Sequence, residues 1–139
     1  MKTSELFLKK RVFSFEIFPP KRTAPVQTIY DTVEELVDLK PDFISVTYGA
    51  GGSETSRHTL EIASFIKNDH GIESVAHLPC IYLSKDEVLE MMEEFRKNNI
   101  ENILALRGDI NPDLPPKQDF RYASDLVSFI KENGDFNII

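Results

Sequence analysis

Short apolar runs alternate with segments of helical period along this chain, at a spacing close to ~30 residues, and that alternation restricts its fold more than any other feature. Residues 11–18, 43–48, 74–78 and 102–107 are rich in Val, Ile, Phe and Leu and read as strands. Pro19 and Pro20 end the first, because proline cannot donate to a ladder. Between the strands, Ile29, Val33, Leu36 and Val37 recur at helical spacing, as do Leu60, Ile62, Ala63, Phe65 and Ile66. Gly71 is placed to cap the second of these helices. A third opens on Ser84 with Glu87 three residues later, a capping-box pattern, and carries Val88, Leu89, Met92 and Phe95 as its stripe. Residues 122–132 predict a fourth, closed by Gly134, and residues 136–139 open a fifth strand. Strand–helix repetition of this kind implies a parallel sheet with right-handed crossovers.

Two parallel architectures compete, and strand parity separates them. A doubly wound sheet is covered on both faces, so both parities of each strand should be apolar. Here one parity is bulky: Phe13, Phe15 and Ile17; Ile44, Val46 and Tyr48; Leu104 and Leu106. The other is small or polar: Ser14 and Glu16; Ser45 and Thr47; Val75 and His77; Ala105, Arg107 and Asp109. A barrel accounts for this, with bulky residues under outer helices and small or polar ones inside. The expected fold is therefore α/β, of the (β/α)8 TIM-barrel family, with four βα units and the start of strand five. A doubly wound sheet is the alternative. A barrel needs eight strands and typically ~250 residues, and the 139 residues end in apolar strand positions. Residues 1–139 are thus expected to be the N-terminal portion of a single barrel domain, or a half-barrel that needs a partner.

Composition narrows the partners. With 41% hydrophobic and 28% charged residues the chain suits a globular domain. A net charge of −7 without a basic block argues against nucleic acid. The single cysteine, Cys80, precludes an internal disulfide and fits a reducing compartment. No apolar run approaches the ~20 residues of a membrane span, and Glu16 with two prolines spoils any signal-peptide reading of the N-terminus. A cytoplasmic protein is expected.

Glu16, Thr47, His77, Arg107 and Asp109 fall in phase near the C-terminal ends of four strands, where barrel active sites lie. Each alone has a plainer explanation: a solvated Glu, a core His bonded to a carbonyl, an Arg107–Asp109 ion pair. A carboxyl among aromatic rings at such a mouth would have its charged form disfavoured by desolvation and could serve as a general acid. Arg107 and nearby amides could stabilise an anion or a phosphate. The run Gly49-Ala-Gly-Gly-Ser53 is a glycine-rich βα turn but neither a dinucleotide fingerprint nor a P-loop. His58, His70 and His77 show no ligand spacing with Cys80, so no metal is expected. The residues alone lead to an acid beside an anionic or cofactor-bound ligand.

Five segments carry a resemblance. Phe15-Glu-Ile-Phe-Pro-Pro-Lys21, Ser45-Val-Thr-Tyr-Gly-Ala-Gly-Gly-Ser53, His77-Leu-Pro-Cys80, Ala105-Leu-Arg-Gly-Asp109 and Tyr122-Ala-Ser-Asp-Leu126 resemble, in order and spacing, the methylenetetrahydrofolate reductases. The chain departs from the family at Pro79, where Thr is common, and at Ile17, where Phe is common. The resemblance implies a flavoprotein TIM barrel of one-carbon metabolism and methionine biosynthesis. It would pass hydride from NADH or NADPH through FAD to 5,10-methylenetetrahydrofolate, giving 5-methyltetrahydrofolate. It further implies Glu16 as the acid that protonates the folate nitrogen and Asp109 as the carboxylate between flavin and folate. Thr47, Tyr48, Ala50, His77, Arg107, Gly108, Tyr122 and Ala123 match positions that contact FAD or the nicotinamide. The family's later strands carry further contacts, so these 139 residues alone are expected to be inactive or weakly active, as a homo-oligomer or completed by a C-terminal half. A non-catalytic half-barrel that binds flavin or folate, or that assembles with another chain, is the alternative, and a flavin-free barrel enzyme acting on a pterin or phosphorylated ligand is a third reading.

Overall fold

The computed structural model describes residues 1–20, 25–48 and 53–139, and side chains for all of these but 53–56. A short helix α1 (Thr3–Phe7) precedes the first strand, β1 (Ser14–Ile17). There follow α2 (Gln27–Val37), β2 (Phe43–Val46), α3 (Ser53–Ser64) with a π-helical turn over Phe65–Asp69, and β3 (Glu73–Pro79). Helix α4 (Lys85–Lys97), β4 (Asn102–Leu106), α5 (Ala123–Asn133) and β5 (Asn137–Ile138) complete the order. All strands are parallel, and they lie side by side in chain order, β1-β2-β3-β4-β5. A doubly wound sheet reverses its strand order at a switch point; this one runs on in a single direction, as a barrel wall does. The fold is α/β, a partial barrel.

The helices cover one face of the sheet. Ile17, Ile44, Val46, Ala76, Leu78 and Ile103 form a single core with Val33 of α2, Ile62 and Ala63 of α3, Ile66, Val88, Met92 and Phe95 of α4, and Leu126 and Ile130 of α5. The opposite face carries Glu16, Ser45, Val75 and Asn102, which the register aligns as lateral partners. Apolar side chains thus leave water on the helix side by the usual ~25 cal/mol per Å², while polar groups gather on the inner side.

One strand is out of step with expectation. His77 pairs with Leu104 and Pro79 with Leu106, so these leucines share the inner face with His77. Ala105 packs against the helix-side core instead. The assignment of Leu104 and Leu106 to the helix side, and of Ala105 to the inside, is reversed, whereas Arg107 and Asp109 lie past the end of β4. A one-residue shift in register exchanges the faces of a whole strand, and the even spacing from His77 to Arg107 does not carry the register. Other boundaries moved less. The first strand is shorter than residues 11–18, although backbone bonds from Asp42 N–H to the Phe13 carbonyl at 2.7 Å and from Thr47 N–H to the Ile17 carbonyl at 3.0 Å extend its pairing. The capping box is present: Ser84 Oγ accepts from the Glu87 N–H at 3.2 Å, and Glu87 Oε2 accepts from the Ser84 N–H at 2.7 Å.

Three crossover helices stop by the same device. Lys40, Gly71 and Asn99 have φ of 53°, 67° and 60°, each two or three residues before the next strand. A left-handed residue lets the chain turn off the helix axis. Gly71 meets this freely; Lys40 meets it with a Cβ penalty. Gly134 also ends its helix, but in an extended conformation with φ −171°.

Helix α1, which the periodicity does not show, covers the N-terminal end of the inner face. Thr3 is buried, and its N–H donates to Asn102 Oδ1 at 2.8 Å. Asn137 Nδ2 donates to Asn102 Oδ1 at 3.0 Å and to Thr3 Oγ1 at 2.9 Å. Asn102 Nδ2 donates in turn to the Met1 carbonyl at 3.1 Å. One amide therefore ties α1, β4 and β5 together. Among the described residues no helix is long and apolar enough to cross a membrane. Asn102→Ala should cost about 2 kcal/mol or more, since it strands buried donors. Lys40→Gly should stabilise by about 1 kcal/mol by relieving the left-handed strain. Urea unfolding midpoints of the two variants check both signs.

Candidate active site

Three polar residues from three adjacent strands meet on the inner face. Glu16 of β1 and Ser45 of β2 are register partners. Ser45 Oγ donates to Glu16 Oε2 at 3.2 Å. From β3, His77 Nε2 approaches the same oxygen at 3.3 Å. That approach lacks the alignment of a hydrogen bond, and Nε2 has no hydrogen-bond partner among the described residues. The contact is an ion pair only when His77 is protonated. His77 is buried, and desolvation lowers its pKa below the usual 6.5 even though the Glu16 carboxylate pulls the other way. The imidazole is neutral near pH 7.

Glu16 itself is half exposed, at 51% of its side chain. Its side chain meets a hydroxyl and a neutral ring, while Phe13 and Phe15, of the helix-side parity as expected, stack edge to face with each other at 4.9 Å.

The remaining expected residues that are described lie at the same end of the sheet. Thr47, just past β2, donates its N–H to Ile17 and accepts the Thr59 hydroxyl at 3.0 Å on its carbonyl. Tyr48 follows it and is half-buried. Arg107 and Asp109 are exposed past the end of β4 and form no ion pair with each other, so the simple pairing considered for them does not occur. Arg107 Nε donates to the Gly108 carbonyl at 3.1 Å. Gly108 turns the chain with φ +87°, and a Cβ there would sit 3.0 Å from that of Pro79. Its glycine is thus required by the β3–β4 packing on its own account. Tyr122 and Ala123 open α5, where Asp125 Oδ2 caps the helix by accepting from the Tyr122 N–H at 2.8 Å. Ala50 and the glycine run before Ser53 lie outside the described residues.

Ser45 was legible as an inward position but not as a partner of Glu16. The signal was there: a small hydroxyl residue in phase with the carboxylate on the neighbouring strand. Only the register turns that phase into a contact.

These residues suit a flavin dinucleotide, the group implied by the resemblance. The buried His77 Nε2 is an unpaired polar atom at the mouth. The terminal nitrogens of Arg107 have no partner among the described residues, only its Nε being engaged. A free guanidinium fork matches a diphosphate, and an unpaired ring nitrogen can take up a polar edge of a ligand.

Comparison with known proteins bears on the same point. A family model described as "Methylenetetrahydrofolate reductase" matches residues 2–139. The chain is 43% identical over 125 residues to a 5,10-methylenetetrahydrofolate reductase of Pectobacterium carotovorum subsp. carotovorum, covering 90% of this chain and 41% of that protein. It is 42% identical over 125 residues to the protein of that name from Escherichia coli (strain K12), with the same coverage. It is 40% identical over 134 residues to "Methylenetetrahydrofolate reductase (NADH) 1" of Arabidopsis thaliana, covering 89% of this chain and 22% of that one. The chain therefore spans about two fifths of the length of its bacterial relatives.

The electrostatics of the pair can be read directly. Glu16→Gln removes the one charge that raises the His77 pKa and leaves the burial that lowers it, so the His77 midpoint should fall further. Histidine NMR titration of the two proteins measures this. A His77 held below 6.5 takes up its proton more readily in the unfolded chain, so its contribution to stability should be lost as pH falls below that value, and lost more in the variant.

Proposed function

The chain belongs to the methylenetetrahydrofolate reductase family, and on that premise we propose that it forms the first half of a barrel that reduces 5,10-methylenetetrahydrofolate to 5-methyltetrahydrofolate with NADH or NADPH and FAD. The observation that carries this reading is the convergence of Ser45 Oγ and His77 Nε2 on one oxygen of Glu16. It supports an acid set in a defined place at the C-terminal end of a barrel wall, where catalytic groups of this architecture lie.

In this reading Glu16 delivers a proton to the folate nitrogen, so that the methylene bridge opens to an electrophilic iminium able to accept hydride. Bound FAD would supply the carrier of that hydride between nicotinamide and folate. Asp109, exposed beyond Gly108, is free to accept hydrogen bonds from the pterin. Arg107 offers its guanidinium to the cofactor's phosphates, and His77, Thr47, Tyr48, Ala50, Gly108, Tyr122 and Ala123 would bound the cofactor. The inner face of the sheet bears Leu104 and Leu106, which would keep water from that end of the barrel. Residues 1–139 are the N-terminal portion of one catalytic domain in this proposal, acting in the cytoplasm. Strands beyond β5, from the same polypeptide or from a second chain, would complete the wall, and the 139 residues alone would be inactive or weakly active.

Glu16→Gln tests the assignment. In the flavin-loaded enzyme it should depress folate reduction by 100-fold or more, in the range of ~10²–10⁴ for loss of general acid catalysis. Flavin reduction by the nicotinamide should stay near wild type. Rapid-mixing measurement of the two half-reactions decides, and equal loss in both would make Glu16 structural.

A further inference from the structure

Glu16 projects from β1, which among the described residues pairs with β2. Its side chain is half exposed. A carboxyl so placed has several rotamers to choose from, and an acid that wanders must be ordered again at each turnover. Something must hold it. A cation would do so poorly, because a guanidinium or ammonium favours the anion and would take the proton away from the group meant to donate it.

The two groups that meet Glu16 are both uncharged. Ser45 is buried on β2, a strand paired on both sides, so its backbone is fixed and its hydroxyl has few places to go. Its distance to the Phe15 carbonyl, 3.5 Å, is at the limit of a hydrogen bond, whereas Glu16 Oε2 lies at 3.2 Å. His77, kept neutral by burial, faces the same atom. Glu16 Oε1 has no hydrogen-bond partner among the described residues. A carboxylic acid that accepts a hydrogen bond on one oxygen carries its proton on the other, and a neutral donor supports that arrangement in both charge states.

We propose that Ser45 is a positioning residue for Glu16: its hydroxyl fixes Oε2 against His77, so that Oε1 bears the proton and faces the substrate. The proposal rests on reading Glu16 as the acid and extends it to a residue with no chemistry of its own. It specifies which oxygen donates and what sets its direction. Across the strands, Glu16 is the charged group acting on His77; Leu104, its register partner on β4, and Ser45, which pairs with Val75 one inner position earlier, carry no charge. The His77 midpoint therefore reports whether the carboxylate is in place.

The experiment compares Ser45→Ala, Ser45→Thr and Glu16→Gln in the flavin-loaded enzyme, with two readouts. One is the pair of half-reactions; the other is the His77 midpoint by NMR. Ser45→Ala should slow folate reduction about 10-fold, within the range for a hydrogen bond to an ionisable group, with folate KM and flavin reduction unchanged. Its His77 midpoint should fall toward that of Glu16→Gln. Ser45→Thr, which keeps the hydroxyl on a strand-compatible side chain, should restore both. Should Ser45→Ala not fold, Ser45→Cys, close in volume and a poor donor, carries the same readouts. A Ser45→Ala protein with wild-type folate reduction and an unmoved His77 midpoint would overturn the proposal, as would equal impairment by Ala and Thr. Glu16→Gln slowing both half-reactions alike would instead remove the acid assignment, and with it the presentation of Oε1. A selective Glu16→Gln effect beside a silent Ser45→Ala would overturn Ser45 alone.

Discussion

The lateral register of the parallel strands is the constraint on which the rest depends. In a parallel ladder each residue's side chain points to the same face as that of its partner. The pairing of Glu16 with Ser45, and of Ser45 with Val75, therefore sets a row of inner positions, and His77 follows one step along β3. No side chain in this group is brought in by a loop. Strand-borne groups are held more tightly than loop-borne ones, and acid chemistry needs placement within a fraction of an ångström. Displace the register of β2 by one residue and Ile44 would stand beside Glu16 in place of Ser45.

That register is protected at its far end by a polar lock. Asn102, fully buried, accepts from Thr3 and Asn137 and donates to Met1 and Ser74. A buried amide is costly unless satisfied, and here each of its atoms has a partner. Satisfied polar groups inside a sheet have few alternative pairings, so they specify a register more sharply than apolar contacts of equal area. The helix side supplies bulk stabilisation through Phe95, Met92, Ile103 and their neighbours, while the inner side supplies uniqueness. Stability and alignment are thus divided between the two faces of one sheet.

Much of this was legible in the chain. The alternation of strand and helix, the parity of Glu16, Ser45 and His77, the capping box at Ser84 and the stop at Gly71 all follow from local rules of spacing and backbone preference, and each was found in the structure. What local rules missed is equally specific. Residues 102–107 have two readings of parity, because Leu104, Ala105 and Leu106 are all apolar and a strand of that kind does not declare its inside. Helix α1 has too few residues to show a period, and it is held by Asn102, almost a hundred positions away. The expected desolvation of Glu16 is not met, because its side chain is half exposed.

The sequence by itself determined the elements other than α1, their order and the family, because these rest on periodicity, capping and identity along the chain, all of them properties of one residue and its near neighbours. Only the tertiary structure decided which atoms meet. That Ser45 and His77 converge on one oxygen of Glu16, and that Leu104 rather than Ala105 lies beside His77, depends on hydrogen bonds between strands some thirty residues apart. Register is a property of pairs of strands, and no single strand contains it.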